Sequence, residues 1–112
     1  GFPAPRLSGG EQQKLAVARA LIRRPDILFL DEPCANLDGR STLEIEDILR
    51  EATQAGARII MTTHDLGQAR RLADRVLFFN NGQVEEQGAA DSFFTVPKSP
   101  GATGFLNGDI ME

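Results

Sequence analysis

Two acids, Asp31 and Glu32, close the unbroken apolar run Ile27-Leu28-Phe29-Leu30, and the chain's single histidine, His64, follows a second strand-like segment, 58–63, some thirty residues later. Carboxylates at the end of one buried strand and an imidazole at the end of the next could hold a hydrated Mg²⁺, activate water and sense a phosphate. Taken alone, the residues read equally well as a polar strand exit, Asp31-Glu32-Pro33, and as a histidine beside the helix-capping Asp65. A second group stands near the start, where Ser8-Gly9-Gly10-Glu11 joins a capping serine and glutamate to two bare glycines. Backbone N–H groups at such a helix start can approach an anion closely. A simple capping box explains Ser8 and Glu11, but not two glycines in a first turn, where each costs up to ~1 kcal/mol relative to alanine.

These residues need elements to carry them. Ser8 and Glu11 start a helix near Gly9 whose apolar positions Leu15, Ala18, Leu21 and Ile22 recur at helical spacing, and Arg23-Arg24-Pro25 stops it. The apolar run before Asp31 suits a strand buried on both faces. A second amphipathic helix follows from Ser41 to about Ala55, carrying Leu43, Ile45, Ile48, Leu49 and Ala52, with Gly56 as its stop and a strand over 58–63 after it. Strand, helix, strand is the βαβ pattern, so the two strands should run parallel, placing Asp31, Glu32 and His64 along one sheet edge. Beyond it the sequence predicts a helix over 66–73 and a strand over 75–79. A tight Asn80-Asn81-Gly82 turn then leads to a strand over 83–87, forming a hairpin. A short helix is expected over 89–94, irregular chain over 96–104 because it holds two prolines and two glycines, and a tail over 105–112 that docks or frays.

Bulk properties narrow the classes. The chain has 112 residues, 41% hydrophobic, with 12 basic against 16 acidic side chains and a net charge of -4, so a nucleic-acid partner is not expected. Its one cysteine, Cys34, excludes an internal disulfide and a cysteine-rich zinc site, and suits a reducing, cytoplasmic setting. No apolar stretch nears the ~20 residues of a membrane span, and Gly-Phe-Pro-Ala-Pro shows no secretory signal, Gly1 being expected to mark a cut or a tag remnant.

Leu7-Ser8-Gly9-Gly10-Glu11-Gln12 resembles the signature motif of ATP-binding-cassette (ABC) ATPases, and later segments resemble the same family in the same order. Residues 27–32 look like its Walker B strand, Ala35-Asn36-Leu37-Asp38 like its D-loop, Thr62-Thr63-His64-Asp65 like its switch-histidine loop, and residues 75–84 like the closing hairpin of transporter ATPases. The resemblance implies an α/β fold: a partial P-loop NTPase-like (RecA-like) parallel sheet with flanking helices and a C-terminal β-hairpin. Its segments would be a signature helix over 8–24, a βαβ unit over 27–64, the hairpin over 75–88 and a tail over 89–112.

The resemblance also implies roles. ATP would lie between two head-to-tail subunits, with Ser8, Gly9, Gly10 and Glu11 facing nucleotide held by the partner and Asp38 touching that partner. Asp31 would hold Mg²⁺, directly or through water, Glu32 would polarise the attacking water, and His64 would meet the γ-phosphate. Cys34 and Asn36 depart from the residues commoner before and within the D-loop, without removing an acid, a base or a ligand. No Gly-rich loop ending in Lys-Ser or Lys-Thr occurs, since Lys14 and Lys98 are the only lysines and neither follows such glycines. The chain is therefore expected to be the C-terminal half of an ATPase domain, with the phosphate-loop strand, the adenine-stacking aromatic and the glutamine loop ahead of Gly1. It should hydrolyse little ATP alone, and should self-associate or repack its unpaired edges.

The leading expectation is thus the ATPase subunit of an ABC transporter, peripheral on the inner face of the cell membrane and docked on a permease. Alternatives are an ABC-type ATPase of DNA repair or chromosome maintenance, and a non-catalytic dimerisation module. Ser92-Phe93-Phe94-Thr95-Val96-Pro97 with Phe105-Leu106 resembles the ends of importers for polar solutes or oxyanions such as tungstate or phosphate. The same aromatics also read as packing a terminal helix on the sheet.

Overall fold

The computed structural model describes residues 8–108. Residues 109–112 of the tail expected over 105–112, and Leu7 of the signature segment, lie outside them. The chain divides into two compact units, 1–64 and 65–112.

In the first unit α1 (Gly9–Ile22), β1 (Ile27–Asp31), α2 (Gly39–Gln54) and β2 (Arg58–Thr62) follow one another. The strands pair in parallel, Ile27 opposite Arg58 and Asp31 opposite Thr62, as the βαβ spacing requires. Among the described residues this sheet has two strands. That corrects the expectation of a strand buried on both faces: Leu28, Leu30, Ile59 and Met61 are half-buried on one face, while Ile27, Phe29 and Ile60 stand 52%, 64% and 45% exposed on the other. An apolar run marks a strand that can be covered twice, and here only one face is partly covered.

The α1 face matches the expected one at Ala18 and Leu21, both half-buried, and differs elsewhere. Gly10 and Val17 are buried, Lys14 and Leu21 half-buried, and these four share one helical stripe, whereas Leu15 is exposed and Ile22 is 78% exposed. The stripe meets α2, whose buried residues are Ile45, Glu46 and Leu49. Lys14 forms an ion pair with Glu44 of α2, which also accepts from Arg40 Nε at 3.1 Å. Chiefly for that lysine bond, the Glu44 carboxyl lies below the usual carboxylate range. Helix α2 starts two residues earlier than expected, because Asp38 is its N-cap and accepts from Ser41 N at 3.2 Å.

The second unit holds α3 (Leu66–Leu72), β3 (Arg75–Asn80), β4 (Gln83–Ala89), α4 (Ala90–Thr95) and α5 (Pro100–Leu106). Asp65 caps α3, accepting from Gln68 N at 3.1 Å. Strands β3 and β4 pair antiparallel with a bulge between Phe78 and Phe79. Asn81 and Gly82, at φ 54° and 75°, form the two-residue turn, whose double positive φ the Asn-Gly dipeptide tolerates. The core is Phe78 and Phe93 with Ala102, flanked by Val76, Phe94, Phe105 and Leu106. The Phe78 ring centroid lies 6.0 Å from that of Phe93 and 5.4 Å from that of Phe105. The tail aromatics therefore pack a terminal helix on the hairpin, and the Arg70 guanidinium lies over the Phe94 ring, 5.1 Å from its centroid.

Residues 96–99 are irregular as expected, but helix α5 replaces the irregular chain expected over 100–104. Pro100 sits at the first helical position, where its missing N–H costs nothing, and Ser99 caps the helix by accepting from Ala102 N at 3.1 Å. Two glutamates of β4 complete the start. Glu86 accepts from Lys98 N at 3.0 Å and Ser99 N at 2.7 Å, and Glu85 accepts from Ala102 N at 3.2 Å and Asn80 Nδ2 at 3.0 Å. These bonds hold both carboxyls below the usual glutamate range, led by the side-chain bond from Asn80 for Glu85 and the backbone bond from Ser99 for Glu86.

Candidate functional site

The C-terminal ends of β1 and β2 carry the acids and the histidine. Parallel pairing sets Asp31 beside Thr62, whose hydroxyl donates to Asp31 Oδ1. Glu32 leaves the strand at φ 42°, a left-handed conformation that costs a β-carbon residue of the order of 1–3 kcal/mol. Its N–H holds that turn, donating to the Thr62 carbonyl at 3.0 Å and sharing the bond with the Thr62 hydroxyl, also at 3.0 Å. The turn aims the Glu32 side chain at His64, and Glu32 Oε1 pairs with His64 Nδ1. The imidazole remains 87% exposed, so its other edge faces solvent. A carboxylate bonded to one ring nitrogen and open space at the other is an arrangement that can orient an imidazole toward a guest and hold or move a proton.

Glu32 opens a tight loop into α2. Ala35 N donates to Glu32 O at 3.1 Å and Leu37 N to Cys34 O at 3.3 Å, while Asn36 takes φ 62°. The loop delivers Asp38 to the start of α2, where its bonds to Ser41, the side-chain one foremost, hold its carboxyl below the usual range. Cys34 is half-buried in this loop, as a small packing residue would be.

The second candidate group lies at the start of α1. Glu11 N donates to Ser8 Oγ at 3.1 Å, and Ser8 N to Glu11 Oε1 at 3.3 Å, completing the expected capping box. The two glycines differ. Gly9 is exposed, with Leu37 3.8 Å from where a β-carbon would stand. Gly10 is buried, and a β-carbon on it would lie 2.5 Å from Ser41 Cβ and overlap the Ser41 hydroxyl. Its bareness therefore lets the first turns of α1 and α2 come together, a packing reason that composition alone did not supply. The same approach puts Asp38 beside the glycine pair, its Oδ1 3.7 Å from the Gly10 β-position.

The structure thus brings together Asp31, Glu32 and His64 at one strand end, and Ser8, Gly9, Gly10, Glu11 and Asp38 at the paired helix starts. Thr62, which ties the first group, was legible as part of a loop motif but not as a ligand of its neighbours' polar groups. Among the described residues no group of three or more His, Cys, Asp or Glu could hold a metal ion. The donors on offer are hard oxygens, Asp31 foremost, at an exposed strand end. This suits Mg²⁺, which keeps several waters and needs few protein ligands when phosphate oxygens complete its shell.

The sequence model of the family described as "ABC transporter" matches residues 2–35, which span the capped glycines, β1 and the acids. Over 108 residues, 96% of this chain, the Natronomonas pharaonis "Phosphate import ATP-binding protein PstB 2" is 44% identical. The chain is related to the ATP-binding proteins of ABC transporters. The Bacillus subtilis "Arginine transport ATP-binding protein ArtM" is 43% identical over 90% of the chain, and the Corynebacterium glutamicum "Glutamate transport ATP-binding protein GluA" 45% identical over 94%. The chain covers 38%, 42% and 43% of these three ABC proteins, so it spans about two-fifths of the length of the relatives it matches. In the described residues no helix is long and apolar enough to cross a membrane.

Proposed function

We propose that this chain is the carboxy-terminal part of the ATPase domain of an ABC transporter, and that it binds and hydrolyses ATP with Mg²⁺ once a phosphate-loop half completes the site. The observation that carries the reading is the Glu32–His64 pair beside Asp31 at the ends of two parallel strands. Glu32 would draw a proton from the attacking water, and His64, held through Nδ1, would present its free edge to the terminal phosphate. Asp31 would hold Mg²⁺, which neutralises phosphate charge when bound.

Exposed Ser8 and Gly9 would face nucleotide on a second subunit, and Gly10 would serve by bringing α2 and Asp38 up to the same contact. The relatives named for phosphate, arginine and glutamate are matched at 44%, 43% and 45% identity, so what the chain shares with them serves the nucleotide rather than the solute. The partners are a second such subunit and a membrane permease, which places the protein on the cytoplasmic face of the membrane. The exposed row Ile27, Phe29 and Ile60 gives the isolated chain an apolar face and reason to self-associate, a state that sedimentation measures directly.

The test is steady-state ATP turnover by the intact subunit and by the 112-residue chain. The intact subunit should turn over and lose at least ~100-fold in kcat with Glu32→Gln, the range general-base removal costs, while the chain alone should be inactive. Turnover undiminished in Glu32→Gln would overturn the assignment.

A further inference from the structure

We propose that Thr62 is a positioning residue of the candidate site, its hydroxyl fixing the Asp31 carboxylate and the Glu32 turn relative to each other. The inference deepens the ATPase reading and rests on it for the metal. One side chain touches both acids: Thr62 Oγ1 donates its proton to Asp31 Oδ1 and accepts from Glu32 N–H at 3.0 Å. A hydroxyl has one donor and two acceptor positions, so both bonds can be made at once.

The chemistry of each bond differs. The first occupies one carboxylate oxygen and sets the plane of the group, leaving the other oxygen for a cation or its water. The second reinforces a strained backbone, since Glu32 stands at φ 42° and its orientation toward His64 depends on that turn. Thr62 lies on the strand that leads directly to His64, so a single hydroxyl connects the acid pair to the histidine's own strand. Residues that hold a ligand from behind in this way commonly change metal affinity by ~10–100-fold when replaced.

Substitution can isolate the hydroxyl. Thr62→Val keeps the shape and the β-branch, and Glu32 N–H retains its 3.0 Å bond to the Thr62 carbonyl, so the strand pairing survives. Thr62 is exposed, so the change buries nothing new.

The experiment is Mn²⁺ titration of the intact subunit with a non-hydrolysable ATP analogue, followed by electron paramagnetic resonance. Thr62→Val should weaken Mn²⁺ binding about tenfold, Thr62→Ser should restore it to within about twofold of the parent, and Asp31→Asn should weaken it at least as much as Thr62→Val. Thr62→Ala gives the same reading without the branched side chain. Parent-like Mn²⁺ affinity in Thr62→Val and Thr62→Ala, with Asp31→Asn impaired, would overturn the positioning role and leave the ATPase reading standing. Parent-like affinity in Asp31→Asn would instead remove the metal assignment on which the proposal depends.

Discussion

Exchanging each of the two glycines of α1 for alanine should give opposite results, although they are adjacent and chemically identical. Alanine at Gly9 meets nothing closer than Leu37 at 3.8 Å, ordinary contact, so Gly9→Ala should be neutral or stabilise by up to ~1 kcal/mol through helix propensity. Alanine at Gly10 must place its methyl 2.5 Å from Ser41 Cβ, roughly an ångström inside contact, against a first turn of α2 that Asp38 already holds. Overpacking of this kind costs about 1–3 kcal/mol, and it outweighs the propensity gain of up to ~1 kcal/mol. The net expectation for Gly10→Ala is a loss of about 1–2 kcal/mol. For a domain of this size that lowers Tm by several degrees, roughly 4 °C or more. Thermal unfolding followed by circular dichroism reads the difference. The double variant Gly10→Ala with Ser41→Gly removes the obstructing side chain and should recover part of the loss. A Gly10→Ala chain as stable as Gly9→Ala would show that the two helix starts do not meet as described.

Two further outcomes test the second unit. Phe78→Ala removes a ring that packs on both Phe93 and Phe105 and should destabilise by about 3 kcal/mol, whereas exposed Phe79→Ala should change stability by less than ~0.5 kcal/mol, both read by urea unfolding. The Glu85 and Glu86 carboxyls are depressed in the folded state, so their hold on the start of α5 is fully present above the unfolded glutamate pKa of about 4.3 and is lost as pH falls through the lower folded values. Amide NMR shifts of Lys98, Ser99 and Ala102 should move together across that acid window, and Glu86→Gln should abolish the movement at Lys98 and Ser99.

Local signals were legible wherever a short-range bond carries the structure. Ser8 with Glu11, Asn81 with Gly82, and the spacing of the two apolar runs each specify their own geometry, and each element formed as read. Long-range packing was less legible. The stripe of α1 runs through Gly10, Lys14 and Val17 rather than Leu15 and Ile22, because its partner α2 offers a crowded first turn and a salt-bridging glutamate as well as buried Ile45 and Leu49. Likewise the two prolines and two glycines of 96–104 suggested irregular chain, whereas Ser99 and two glutamates from another strand supply the acceptors that start a helix at Pro100. For the candidate site, the identities of Asp31, Glu32 and His64 could be read from strand ends. Their coupling through Thr62 could not, since it depends on parallel register that no residue announces.

The hairpin carries a consequence in its outward row. Leu77, Phe79 and Val84 are 53%, 61% and 45% exposed, so β3 and β4 carry an oily outward row on a strand pair that, among the described residues, pairs with no third strand. A polypeptide built this way is adhesive by construction: during synthesis it would draw chaperones or its own kind, and its yield when expressed should track how soon a companion surface reaches it.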